Sequence, residues 1–199
     1  MPELKIIHQT HDFMVIDKPA GISTHSSPGD TGPNVVDMLT PEWQTLYPVS
    51  RLDRGATGLL VLGLSQNFAR EMEFLNKIYL ASVWGQIPSS GVIEMNLTTK
   101  QFKTGKKRTQ KAASRYRRVQ FKDGQSCVMI QIETGRHHQI RRHLRSIGFP
   151  VVGDFRHGDK AKNLALQTQM GKPLALQLSC YRLVFRFQNQ VHRFVLTQK

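Results

Sequence analysis

Apolar and polar positions alternate, cluster and break along the chain in a way that predicts short strands interleaved with few helices. Ile6 and Ile7, then Phe13 and Val15, flank the polar stretch Gln9 to Asp12, which predicts a hairpin ending at Lys18-Pro19-Ala20-Gly21. Turn formers fill Ser23 to Pro33, after which Val35, Val36 and Leu39 predict a short helix stopped by Pro41. The continuous apolar run Gly58-Leu-Leu-Val-Leu-Gly63 reads as a buried strand. Ser65 is placed to cap a helix carrying Phe68, Met72 and Leu75, and strand character resumes from Tyr79 to Gln86. Lys100 to Lys111 has no apolar period and predicts an exposed basic loop. Two strands, Ala112 to Phe121 and Ser126 to Glu133, then flank an Asp123-Gly124 hairpin turn. A helix from about His137 to Ser146 is expected to bury Ile140, Leu144 and Ile147, stopping at Gly148 with Pro150 beyond. Further strands are predicted around Leu174 to Leu178, Leu183 to Phe187 and Phe194 to Leu196. Without a repeat or a Gly/Ser linker, the pattern predicts one α+β unit over 1–199.

Composition narrows the setting. No apolar run approaches the roughly 20 residues that span a bilayer, and Met1 to Lys5 lacks the plan of a signal peptide, so neither a membrane span nor secretion is expected. The two cysteines, Cys127 and Cys180, form no CxxC pair, which argues against a disulfide scaffold or structural zinc and predicts a cytoplasmic protein. Charge says more: 28 Lys and Arg against 14 Asp and Glu leave a net +14, the footprint of a polyanion-binding protein. Fourteen of those basic residues fall between Lys100 and Arg145 beside only Asp123 and Glu133, so the positive field is concentrated there.

Three stretches could carry chemistry: Ser50-Arg51-Leu52-Asp53-Arg54-Gly55-Ala56-Thr57-Gly58, Lys77-Ile78-Tyr79-Leu80-Ala81, and Glu133-Thr134-Gly135-Arg136 through Arg141. Arg51 and Arg54 bracket Asp53 just before a buried strand, a setting that favours its ionised form. By spacing alone, a surface ion pair and a working carboxylate fit equally well. His138 and His143 are five apart, on different faces of a helix and without Cys or carboxylate companions, so no metal site is expected. Gly55-Ala56-Thr57-Gly58 lacks the Gly-Lys-Ser/Thr of a phosphate loop, and no nucleotide cofactor is expected either.

These stretches resemble the signature of the RluA-type pseudouridine synthases. Asp17-Lys18-Pro19-Ala20-Gly21 with His25 is similar to the family's opening motif, and Arg51-Leu52-Asp53-Arg54 through Leu60 to its catalytic motif. Gly135-Arg136 through Arg141, with Gly148, Pro150 and Val152-Gly153-Asp154, is similar to its third. The resemblance implies a central mixed, mostly antiparallel sheet in two halves flanked by helices, with the active-site cleft between them. It also implies isomerisation of uridine to pseudouridine in tRNA or rRNA, in a catalytic domain without an N-terminal S4-like domain. Residue by residue, it makes Asp53 the catalytic carboxylate, Tyr79 the aromatic that stacks on the base, Arg136 the partner of Asp53 and Leu178 a pocket wall, with Arg51 and Arg54 beside the substrate. RNA is then the partner, no cofactor is required, and a monomer is the expected state. Two departures stand out: Ser50 where the family commonly has His, and Ser179 in Leu178-Ser179-Cys180 where it usually has His. They define the alternative, a catalytically silent RNA-binding protein of the same fold.

Overall fold

The computed structural model describes residues 4–26, 32–43, 45–100 and 104–197. Residues 27–31 of the predicted turn-rich loop and 101–103 of the predicted basic loop lie outside the described residues. Among the described residues, nine strands form a mixed, mostly antiparallel sheet flanked by few helices, which is the α+β class the sequence implies. The chain divides into two compact units, 1–77 with 179–199, and 78–178.

In the first unit, β1 (Lys5–Gln9) pairs antiparallel with β2 (Phe13–Lys18), and β2 with β3 (Thr57–Gly63). β3 then runs parallel to β8 (Leu178–Phe187), on whose other edge β9 (Gln190–Val195) closes an antiparallel hairpin. The run predicted to be buried, Leu59 to Leu62, is at most 1% exposed, and Phe13 to Ile16 on β2 is at most 2% exposed. Phe13 stacks on Phe68 at 4.8 Å between ring centroids and meets Phe185 edge-on at 5.2 Å, so one aromatic cluster anchors strands and helix together. Two short helices are capped by side chains, the second by the Ser65 that the sequence predicts. Asn34 accepts from the Asp37 N–H at 2.9 Å to start α1 (Val35–Leu39), and Ser65 accepts from the Phe68 N–H at 3.1 Å to start α2 (Gln66–Glu71). α2 is shorter than expected: Met72 already turns extended and Leu75 belongs to β4 (Glu73–Trp84), because strand pairing overrides three residues of helical spacing.

The second unit takes over β4 from Ile78 and continues with β7 (Gln125–Ile132), β6 (Lys107–Lys122) and β5 (Ser90–Lys100) in that spatial order. β6 and β7 form the predicted hairpin, with Asp123 and Gly124 at φ 51° and 73°, the conformation that an Asp-Gly turn supplies. The basic loop of the sequence reading is largely strand. Lys107 to Lys111 is the start of β6, paired with β5 from Lys100 to Asn96, because cross-strand partners satisfy a backbone whose own apolar pattern is weak. One face of β5 and β6 packs beneath α3 (Gln139–Ser146); Ile93, Leu97, Ala112, Tyr116, Leu144 and, on β7, Ile130 are buried, whereas Ile147 is only half-buried. α4 (Lys160–Met170) was not predicted, and 173–177 is irregular rather than strand, held where the Gln177 N–H donates to the Val152 carbonyl at 2.9 Å. Among the described residues, no helix is long and apolar enough to cross a membrane.

Candidate active site

In the first unit, Asp53 lies half-buried in the turn that feeds β3, closed by the Ala56 N–H donating to the Asp53 carbonyl at 3.0 Å. Two hydroxyls fix its approach. Thr24 Oγ1 donates to the Leu52 carbonyl at 3.2 Å and accepts from the Leu52 N–H at 3.0 Å. Ser50 Oγ likewise donates to the Val61 carbonyl at 3.3 Å and accepts from the Val61 N–H at 3.0 Å. A hydroxyl is both donor and acceptor, so each side chain substitutes for a missing strand partner on both counts. Ser50, which departs from the common His, therefore has a positional task here. Ser179, the second departure, is the register partner of Thr57 in the parallel β3–β8 pair.

Lys18, at the end of β2, is fully buried. Its Nζ donates to the carbonyls of Pro19 and Ile22, both at 2.8 Å, and of Arg54 at 3.4 Å. The Gly21 N–H donates to the same Arg54 carbonyl at 2.9 Å, so the opening motif and the Asp53 turn are joined by backbone and ammonium together. Burial pushes the Lys18 ammonium down to about 8, the Asp53 carboxylate opposes that loss, and the Arg54 guanidinium adds to it. Asp53 thus has a buried cation within electrostatic reach that charge spacing along the sequence did not reveal. Arg51 and Arg54 are exposed; Arg54 Nη1 donates to the Gly21 carbonyl at 3.3 Å, and its guanidinium packs so tightly over Gly32 that a β-carbon there would overlap it.

The other predicted site residues belong to the second unit. Tyr79 lies on β4 and is 8% exposed, and Leu178, at the start of β8, is 6% exposed. Arg136 is half-buried in the loop between β7 and α3, which the buried Gln139 organises. Gln139 Oε1 accepts from Thr134 Oγ1 at 2.7 Å and from the Arg136 N–H at 3.1 Å, while its Nε2 donates to the Ala113 carbonyl at 2.9 Å. With its amide oriented to satisfy both groups, Gln110 accepts from Arg136 Nη1 at 3.1 Å, whereas the buried Arg136 Nε has no hydrogen-bond partner among the described residues. Behind this loop, Arg141 grips Asp154 by two bonds of 2.8 Å, and the guanidinium with the Arg156 and His157 N–H groups holds the Asp154 carboxyl below its usual range against the upward push of burial.

A carboxylate in a hydroxyl-pinned turn beside a buried ammonium, on a mixed sheet with a strongly basic second unit, defines a protein built to work on a polyanion. Residues 12–146 match the model of the RNA pseudouridylate synthases. The chain belongs to that family, as an RluA-type isomerase acting on uridine in RNA. It is 31% identical over 215 aligned residues to the tRNA pseudouridine synthase C of Vibrio parahaemolyticus, covering 94% of this chain and 87% of that protein. The tRNA pseudouridine synthase C of Yersinia pestis is 32% identical, with 84% of this chain and 76% of that protein covered. Human RNA pseudouridylate synthase domain containing 1 shares the fold at a TM-score of 0.72 and 19% identity, over 98% of this chain and 84% of that one. Human RNA pseudouridylate synthase domain containing 4 does so at 0.70 and 24%, over 98% and 88%.

Proposed function

We propose that the protein converts uridine in transfer RNA to pseudouridine, with Asp53 as the carboxylate that acts on the ribose. The supporting observation is the Asp53 turn itself, pinned by Thr24 and Ser50 and faced by the charge of Lys18. Reaction at a sugar inside a stacked RNA requires the nucleotide to leave its stack, which costs a few kcal/mol that aromatic and cationic contacts must offset. Tyr79 takes the uracil face, Leu178 an apolar edge, and Arg51, Arg54 and Arg136 the anionic surroundings. The bond from uracil N1 to the sugar breaks, the base turns, and a bond from C5 to the sugar replaces it as the C5 proton leaves and N1 takes up a proton. Composition and oxidation state are unchanged, so the reaction itself calls for no electron carrier and no nucleotide hydrolysis. Transfer RNA is favoured over ribosomal RNA by the names of the similar proteins. The working place is the cytoplasm and the working state a monomer.

The test is incubation of the purified chain with unmodified transfer RNA and ribosomal RNA transcripts, mapping pseudouridine by carbodiimide-based primer extension beside Asp53→Asn. Product in transfer RNA with wild type alone is the expected result. Product in ribosomal RNA only would move the substrate, and equal product from Asp53→Asn would remove Asp53 from the reaction.

A further inference from the structure

From the open face of the second unit's sheet, we infer a dedicated RNA-holding surface on β5, β6 and β7, which grips the backbone of the RNA outside the nucleotide that reacts. Side chains alternate across a strand, so Lys107, Lys111, Arg115 and Arg117 share one face of β6, and all four are exposed. The opposite face, with Ala112, Ser114 and Tyr116, is the buried one beneath α3. Ten register steps from Lys107 to Arg117 extend over about 34 Å, so one row of cations is laid out along an extended line. On neighbouring β5 the same face shows Ser90, Val92, Glu94, Asn96 and Thr98, whose lone carboxylate sits opposite Ala113. β7 adds the half-buried Cys127, Met129 and Gln131, none of them acidic.

One apolar group on this face is also open to solvent: Val92, the register partner of Arg115, is 51% exposed. The phosphates of an unpaired strand take such a row of cations, and an exposed apolar side chain beside it gives a sugar or base a surface to pack on. Beside Ala113, where the small side chain leaves the face low, a groove of about 510 Å³ is bordered by Lys111, Asn96, Glu94 and Glu133. The occupant that matches this row of charge is a single RNA strand: phosphates along Lys111, Arg115 and Arg117, with a sugar or base edge against Val92. Phosphate contacts of this kind set register and orientation without reading sequence.

The inference rests on the reading of the protein as an RNA-modifying enzyme, and binding is measured apart from turnover so that the two can fail separately. The triple variant Lys111→Gln/Arg115→Gln/Arg117→Gln and the wild type are titrated with an unmodified transfer RNA transcript from 50 to 300 mM salt. The expected result is at least about tenfold weaker binding near 150 mM salt and a salt slope shallower by about 2, since each single-stranded phosphate contact contributes roughly 0.7. At saturating transcript kcat stays at the wild-type value while KM rises. Arg117→Gln alone, which removes one surface charge, carries the same test with a slope change of about 0.7 should the triple variant fold poorly. Binding and slope identical to wild type would overturn the inference and leave these residues as a solvated face. A wild type that binds transfer RNA through this face yet makes no pseudouridine in it would defeat the proposed function alone.

Discussion

The ammonium of Lys18 donates to the backbone carbonyl of Arg54, the residue after Asp53, at 3.4 Å, and does so from a fully buried position. The opening and catalytic motifs therefore meet through a charge. Lys18→Met keeps the aliphatic length, removes the ammonium donor to the carbonyls of Pro19 and Ile22, leaves that of Arg54 to the Gly21 N–H alone, and takes the nearby cation from Asp53. The expected loss is on the order of 3 kcal/mol in urea unfolding at pH 7, together with lower kcat. The pH dependence has a definite sign. The Lys18 ammonium titrates near 8 in the folded protein and near 10.5 when exposed, so between these values the unfolded chain binds more protons and stability rises with pH. The margin of wild type over Lys18→Met should accordingly widen from pH 8 towards 10.5, and a margin independent of pH would show that Lys18 is not held at this low value.

Thr24 tests the positioning of Asp53 directly. Thr24→Val preserves shape but removes the donor to the Leu52 carbonyl and the acceptor for the Leu52 N–H. We expect about 1–3 kcal/mol lower stability, because both backbone groups are buried, and a drop in kcat larger than any rise in KM. Thr24→Ser restores the hydroxyl and should recover most of kcat, which a packing role for the methyl group would not allow.

Gly58 illustrates a tighter constraint. Its φ is +104°, and a β-carbon there would lie 2.5 Å from the Cys180 carbonyl oxygen and 2.7 Å from Ser179 Oγ, where β3 and β8 pair in parallel. Gly58→Ala must spread that pair, so thermal melting should show a loss of at least about 3 kcal/mol. Gly124→Ala, also at positive φ but with open space around it, should cost only about 1 kcal/mol.

The legible parts of this fold were those with local causes. Phe13 to Ile16 and Leu59 to Leu62 are apolar enough to be strands wherever they lie, Ser65 caps because a hydroxyl precedes a helix, and Asp123-Gly124 turns because its backbone accepts positive φ. Asp53, likewise, was marked by its motif. Parts with distant causes were hidden. β5 alternates Ile93, Met95 and Leu97 inward, a period-2 signal that was present, yet its opposite face mixes Val92 with Glu94 and Asn96, and only pairing with β6 makes it a strand. α4 buries chiefly Asn163, whose Oδ1 accepts from Trp84 Nε1 at 2.9 Å and from the Gly153 N–H at 3.0 Å, so its amphipathic pattern is weak and its reason for docking is polar. Lys18 was invisible as a site residue because lysines are almost never fully buried, and its three carbonyl partners come from chain geometry rather than from pattern.

His143, on the inner side of α3, gives a prediction separable from catalysis. It is fully buried, and neither ring nitrogen has a hydrogen-bond partner among the described residues. Burial, with the Arg142 guanidinium adding to it, lowers the imidazole from 6.5 to about 4. Below pH 6.5 the unfolded chain takes up a proton that the folded one refuses, so stability falls as pH drops from 6.5 towards 4. The contribution lost is roughly 2 kcal/mol at pH 5. His143→Leu removes the titrating group and leaves no other polar atom orphaned, because no hydrogen bond is broken. At pH 7 the variant should be about as stable as the wild type or slightly more so, and at pH 5 it should be the more stable by roughly 2 kcal/mol in urea unfolding. Equal acid sensitivity of the two proteins would mean that His143 opens to water before it titrates, and would place the acid-labile group elsewhere in the fold.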